Sequence, residues 1–200
     1  YASSWQNLAG IQEGKRERVR DLFATTRALL GTWGSSYAVE TAFADFKAYH
    51  DASGALPDGE LNVSSAEYKA VYDKWQDEFA VYVKEHGYYD IFFICAAHGH
   101  VLFTHGRESD LGANVGAGPL KDEGLGKLWK SVVETGKTSV SDFEPYSPSD
   151  GEYAGFMGTP VKDASGKMVA VLAVQLPINP LNNIVQTRTG LGTSGETYLV

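Results

Sequence analysis

The chain has 200 residues, 43% of them hydrophobic, with 7 prolines and a single cysteine, and it carries a formal net charge of -8 at pH 7. That length supports one large domain or a domain with an appendage, and Cys95 alone excludes an internal disulfide and a four-cysteine metal site. The negative balance, with no basic stripe to offset it, excludes nucleic acid as a partner, and no apolar stretch approaches the roughly 20 residues that cross a bilayer.

Aromatic residues make up 12% of the chain, 11 of them tyrosines, which suits a recognition surface or pocket as well as a core. The sequence opens on Tyr1 within a helical pattern and stops at Val200 within a strand pattern. We therefore expect an excised piece whose membrane anchors lie in flanking sequence, with no signal peptide of its own.

Residues 8–37 carry Ile11, Val19, Leu22, Phe23, Leu29 and Trp33 at three- and four-residue spacing, with Lys15 to Arg18 and Arg20 on the other faces. A helix this long is either an ordinary packing helix or a stalk that leads from a membrane and pairs with its copy, since repeats near seven permit a dimer. A second helix over residues 36–49 places Tyr37, Ala42, Phe43, Phe46 and Tyr49 on one side. Residues 51–63 are a loop rich in Gly, Ser, Asp and Pro. Ser64 and Glu67 form a capping box that starts a third helix, whose stripe of Tyr68, Val71, Tyr72, Trp75, Phe79 and Tyr82 is core, and Gly87 ends it.

The run from Ile91 to Ala97 is apolar on both alternating faces, so it reads as a central strand covered on each side. His98-Gly99-His100 then turns the chain into a second strand over Val101 to Thr104, with Gly99 at a positive-φ position. Residues 107–119 are a flexible glycine-rich connector, and a helix over 122–135 follows with Leu125, Leu128, Trp129, Val132 and Val133 on one face. Strands are expected at 138–143, 153–162 and 167–176, joined by Ser-Pro-Asp-Gly turns. Asn179 and Pro180 read as the cap and first position of an exit helix ending before Gly190.

This order predicts an α+β fold: long N-terminal helices packed on a PAS-like five-stranded antiparallel sheet of order 2-1-5-4-3. Residues 1–87 would be the helical cover, 88–189 the sheet module, and 190–200 the start of a further module. No motif supports catalysis. His98 and His100 flank a turn expected to be an exposed tip without a Cys or acidic cluster, so no metal site is expected, and the glycines at 112, 116 and 118 lack the ending of a phosphate loop. Polar and aromatic groups do gather at the strand ends and the start of the crossover helix: Lys121, Asp122, Trp129, Asp142, Tyr146, Tyr153, Phe156, Thr159 and Gln175. Gln175 interrupts an apolar strand, and a buried amide needs partners, from backbone or from a ligand.

At these residues the chain resembles the extracytoplasmic double Cache sensor domains of bacterial methyl-accepting chemotaxis proteins. The segments that carry it are Gly14-Lys-Arg-Glu-Arg-Val-Arg-Asp-Leu-Phe23, Gly87-Tyr-Tyr-Asp-Ile-Phe-Phe-Ile94, Gly118-Pro-Leu-Lys-Asp122, Ser141-Asp-Phe-Glu-Pro-Tyr-Ser-Pro148, residues 166–177 and Gly190-Leu-Gly-Thr-Ser-Gly-Glu-Thr-Tyr-Leu-Val200. The resemblance implies a Cache-type, membrane-distal pocket for a small polar metabolite, no cofactor, a homodimer through the first helix and a place outside the cytoplasm on an inner-membrane receptor. Together with the residues gathered at the strand ends, this gives Lys121, Trp129, Asp142, Tyr146, Tyr153, Phe156 and Gln175 as the expected binding set. The amino-acid-sensing pattern of such receptors has a tyrosine where Tyr146 stands, an Arg-x-Trp-Tyr with no counterpart here, and an aspartate where this chain has Gln175. Lys121 would face an anionic ligand and Asp142 an amine. A histidine kinase or cyclase receptor could carry the same domain.

Overall fold

Two clusters of large apolar side chains, one on each face of a central sheet, organise the chain. The computed structural model describes residues 2–187, so the expected opening of a further module at 190–200 lies outside the described residues. Helix α1 spans Ala2–Gly34, α2 Tyr37–Ala52 and α3 Ala66–His86. Strands β1 (Asp90–Cys95) and β2 (Val101–Thr104) follow, then α4 (Gly124–Thr135), β3 (Ser139–Val140), β4 (Glu144–Pro145), β5 (Tyr153–Ala154), β6 (Phe156–Lys162), β7 (Met168–Gln175) and α5 (Ile178–Gln186).

The main sheet runs β2-β1-β7-β6-β3 with every pair antiparallel, which is the expected 2-1-5-4-3 order. Because side chains alternate across a strand, β1 sends Ile91 and Phe93 to one face and Phe92 and Ile94 to the other. The first pair joins Phe46, Phe79 and Phe103 under the N-terminal helices, and the second joins Leu125, Leu128 and Phe156 under α4. Both central strands are therefore covered twice, as their unbroken apolar character requires. Hydroxyls fasten the layers, since Tyr68 and Tyr72 each donate a 3.0 Å bond to the β2 carbonyls of Leu102 and Thr104.

Helix α1 is 33 residues long, about 50 Å at 1.5 Å per residue. Among the described side chains, only Thr26, Leu30 and Trp33 of it are buried, all near its C-terminal end. Its earlier part meets α5, where Lys15 donates to the carbonyls of Val185 and Thr187 at 2.7 and 2.6 Å. Among the described residues, no helix is long and apolar enough to cross a membrane.

Several local expectations are corrected. The α3 cap is Ser65, which accepts from Tyr68 N at 3.0 Å, while Ser64 N donates to Asn62 Oδ1, so no Ser64–Glu67 box forms. Tyr37 is exposed rather than packed. The third strand of the sheet is only two residues long, because the chain after Val140 leaves to pair β4 with β5 in a separate ribbon. Helix α5 starts two residues early, with Pro177 at its cap. The 107–119 connector is held rather than loose: the Asn114 carboxamide donates to Pro57 O at 2.9 Å and accepts from Gly116 N and Ala117 N at 2.9 and 3.0 Å. The β1–β2 turn is likewise no exposed tip. His100 is fully buried, and Gly99 sits at φ +84, where an added Cβ would lie 2.5 Å from Gly116 N.

Candidate functional site

Sheet geometry first brings together residues that are far apart in sequence. Asp90, at the start of β1, pairs with Gln175 at the end of β7, and Gln175 pairs with Phe156 at the start of β6. The Phe156 ring meets the Tyr146 ring edge-on at 4.9 Å between centroids, and the Tyr146 hydroxyl donates to Asp110 Oδ2 at 2.9 Å. All five residues are buried, and all but Gln175 are fully so.

Tyr146 is placed by a tight turn in which Ser149 N and Gly151 N both donate to its carbonyl, and Glu123 ties that turn to α4 by accepting from Ser147 N and Oγ. A second chain of groups runs beside it. Ser149 Oγ donates to Glu108 Oε2 at 2.9 Å, Tyr89 donates to Glu108 Oε1 at 2.7 Å, and Gln175 Nε2 reaches Ser149 Oγ at 3.4 Å, near the limit of a hydrogen bond.

Within this well-connected cluster, Asp110 Oδ1 and Gln175 Oε1 are buried and have no hydrogen-bond donor. A buried acceptor left unpaired costs about 1–3 kcal/mol, more if charged, so two at one sheet end are unusual. The Asp110 carboxyl is pushed up to about 7, chiefly by burial; the Tyr146 hydroxyl opposes this, and the negative charges of Asp90 and Glu108 reinforce it. Burial and the neighbouring Asp110 charge push the Tyr146 phenol up in turn, so it remains a donor. Burial also raises Asp90, but its carboxylate accepts from Thr104 Oγ1 and from the backbone N–H groups of Ile91, His105 and Gly106, which gives it a structural role. Arg107 offers no counter-charge here: its guanidinium lies 4.5 Å over the Tyr72 ring.

A cleft of about 360 Å³ opens at this end of the sheet, lined by Tyr89, Ser149, Glu152, Tyr153, Gln175 and the first residues of α5. The arrangement supplies acceptors and negative potential beside apolar and aromatic walls. Its chemical complement is a small molecule that brings hydrogen-bond donors or a positive charge.

Of the residues expected at a site, Tyr146, Phe156 and Gln175 meet here and Tyr153 stands at the cleft mouth, 58% exposed. Lys121 and Asp142 are exposed and outside the cluster, so neither is the counter-charge expected of it. Trp129 packs elsewhere: its indole N–H donates to Cys95 O at 3.0 Å, at the other end of β1 and roughly 16 Å from Asp90 at 3.3 Å per residue. Thr159 pairs its hydroxyl with that of Thr138. Asp110, Glu108 and Ser149 were not anticipated, and the only trace of Asp110 in the sequence is an acid inside a glycine-rich segment.

No protein-family model and no curated protein matches the chain. Solved structures do. The sensor domain of the V. cholerae histidine kinase DctB is 14% identical with a TM-score of 0.57, over 92% of this chain and 61% of that one. The ligand-binding domain of the Campylobacter jejuni chemoreceptor Tlp3 in complex with L-valine is 13% identical with a TM-score of 0.60, over 94% of this chain and 65% of that one. The same Tlp3 domain in complex with 4-methylisoleucine aligns at 12% identity and a TM-score of 0.60, over 94% and 64%. The chain thus spans less than two thirds of these domains, and at such identities the likeness is one of fold: the α+β, PAS-like Cache type.

Proposed function

We propose that the chain is the extracytoplasmic ligand-binding sensor domain of a transmembrane chemoreceptor, and that its ligand is a small molecule carrying a protonated amine. The observation that carries this reading is a pair of unpaired buried acceptors: Gln175 Oε1, at the end of a central strand and in the cleft wall, and Asp110 Oδ1, in the connector and tied to the same cluster through Tyr146. An ammonium group donates up to three hydrogen bonds and carries the charge that a desolvated aspartate lacks. The fold shared with ligand-binding domains of a chemoreceptor supports it, as does the amino-acid ligand in one of them. The domain acts by binding rather than by turnover.

The cleft also touches the first residues of α5, whose last carbonyls are held by Lys15 of α1. Ligand seated against Gln175 and Ile178 therefore biases the packing of α5 on the long helix, which pairs with its copy in a receptor dimer. It can shift that packing only by its difference in affinity for the two states. A thermal-shift screen of primary amines and amino acids against simple carboxylates tests the reading. Stabilisation by amine-bearing compounds that is lost in Asp110→Asn and Gln175→Leu is expected. Stabilisation by carboxylates alone, or retained in both variants, overturns it.

A further inference from the structure

Among the described residues, the third buried side-chain polar atom without a partner is His98 Nδ1, and it lies at the opposite end of β1 from the acidic cluster. Three segments converge there. Cys95 is the last residue of β1, His98 lies in the turn that follows, and His50 stands in the last turn of α2, brought over by the packing of the helical layer on the sheet. One ring nitrogen of His50, one of His98 and Sγ of Cys95 all lie within 4.8 Å of one another. Cys95 and His50 are each only 8% exposed. The sequence-based expectation of histidines on an exposed tip, without a cysteine nearby, fails because it could not see α2 close over the turn.

We propose that His50, Cys95 and His98 form a site for one zinc-class transition metal ion. A thiolate and two imidazoles are a borderline-soft donor set, matched to Zn²⁺ rather than to Ca²⁺ or Mg²⁺, which take oxygen ligands. At metal–ligand distances of about 2.0–2.3 Å the edges of a tetrahedron between two nitrogens and one sulfur are roughly 3.3–3.6 Å, so donors that lie within 4.8 Å of one another need to close by at most about 1.5 Å. Side-chain rotation supplies that.

The surroundings are built as metal sites are. His50 Nδ1 lies 3.2 Å from Asp51 Oδ1 and His50 Nε2 lies 2.9 Å from His100 Nδ1, so metal binding replaces one of these contacts and the other orients the ring. His100 is in turn fixed by its Nε2, which donates to Gly59 O at 3.0 Å. The Cys95 backbone is held by Trp129 Nε1 on its carbonyl and by His100 O on its N–H. Three protein ligands leave a fourth position for water. Bound metal would clamp α2 to the β1–β2 turn, a second input at the far end of the strand that carries the amine site, and it does not depend on that site.

Titration of the metal-free domain with Zn²⁺ alone, by calorimetry and thermal shift, and with Co²⁺ by absorption, tests the proposal. Expected are one ion per chain, a rise in Tm, a thiolate-to-cobalt charge-transfer band and tetrahedral ligand-field bands. Cys95→Ala should abolish the charge-transfer band, and Cys95→Ala and His98→Ala should each weaken Zn²⁺ binding at least tenfold. His105→Ala, outside the cluster, should leave both signals intact. Unchanged Zn²⁺ affinity in His98→Ala, whose half-buried turn position leaves the fold in place by circular dichroism, overturns it. So does an octahedral Co²⁺ spectrum without a thiolate band in the wild-type chain.

Discussion

Replacing Asp110 by asparagine should make the empty domain more stable and deaf to its ligand. The native carboxyl holds its proton up to about pH 7, whereas an ordinary aspartate releases it near 3.8. Between those values the native state binds more protons than the unfolded state, so this group's contribution to stability is fully present below pH 3.8 and is lost as pH rises through 7. From 3.8 to about 7, at 1.36 kcal/mol per pH unit, the loss is on the order of 4 kcal/mol. Asparagine is isosteric, never charges, and keeps an oxygen to accept from Tyr146. Urea unfolding of wild type and Asp110→Asn, followed by tryptophan fluorescence, should therefore show the variant ahead by several kcal/mol at pH 8 and near parity at pH 4. Subtracting the two curves removes the opposite trend of Asp45 and Asp51, whose carboxyls are held below their ordinary range by Lys74 and Lys47. A variant no more stable than wild type at pH 8, or a difference that does not change with pH, would show that Asp110 is not the strained group described above.

Amine affinity should fall about tenfold for each pH unit below 7, where binding must expel the Asp110 proton, and level off above it; a flat profile across pH 5 to 8 by calorimetry would remove Asp110 from the contact. Gln175→Leu deletes an acceptor that nothing satisfies, so the empty domain should unfold within about 1 kcal/mol of wild type, or later, while the amine-induced shift disappears. Lys121→Ala and Asp142→Ala, both exposed, should leave the amine-induced shift unchanged, and a loss in either would move the site. Phe79→Ala, which opens a hole among Phe46, Phe93 and Phe103, should cost about 3–5 kcal/mol in the same urea assay.

Much of the architecture was legible along the chain because it rests on local or one-dimensional signals. The α3 stripe, the two-faced apolar run of β1 and the left-handed glycines at 87 and 99 follow from periodicity and turn chemistry, and the strand order followed from matching the sequence of elements to a PAS-like sheet. Starts and ends were less legible, since one residue's choice of hydrogen-bond partner decides them: Ser65 caps α3 although Ser64 has the better motif, and Pro177 begins α5.

The candidate sites divide on the same principle. Tyr146, Phe156 and Gln175 could be picked out because an amide in an apolar strand and aromatics beside turn residues stand out in one dimension. Asp110 could not, because what makes it unusual is burial without a donor, and burial belongs to the packed connector rather than to the residue. Lys121, Asp142 and Trp129 have the right chemistry but point to solvent or to the wrong end of the sheet. His50 lies 45 positions before Cys95, and only the closure of α2 over the sheet brings them together. Sequence alone thus determined which segments become helix and strand and how they are ordered. Desolvation and long-range contact, which exist only once the layers are packed, decided which polar groups are left buried without a partner.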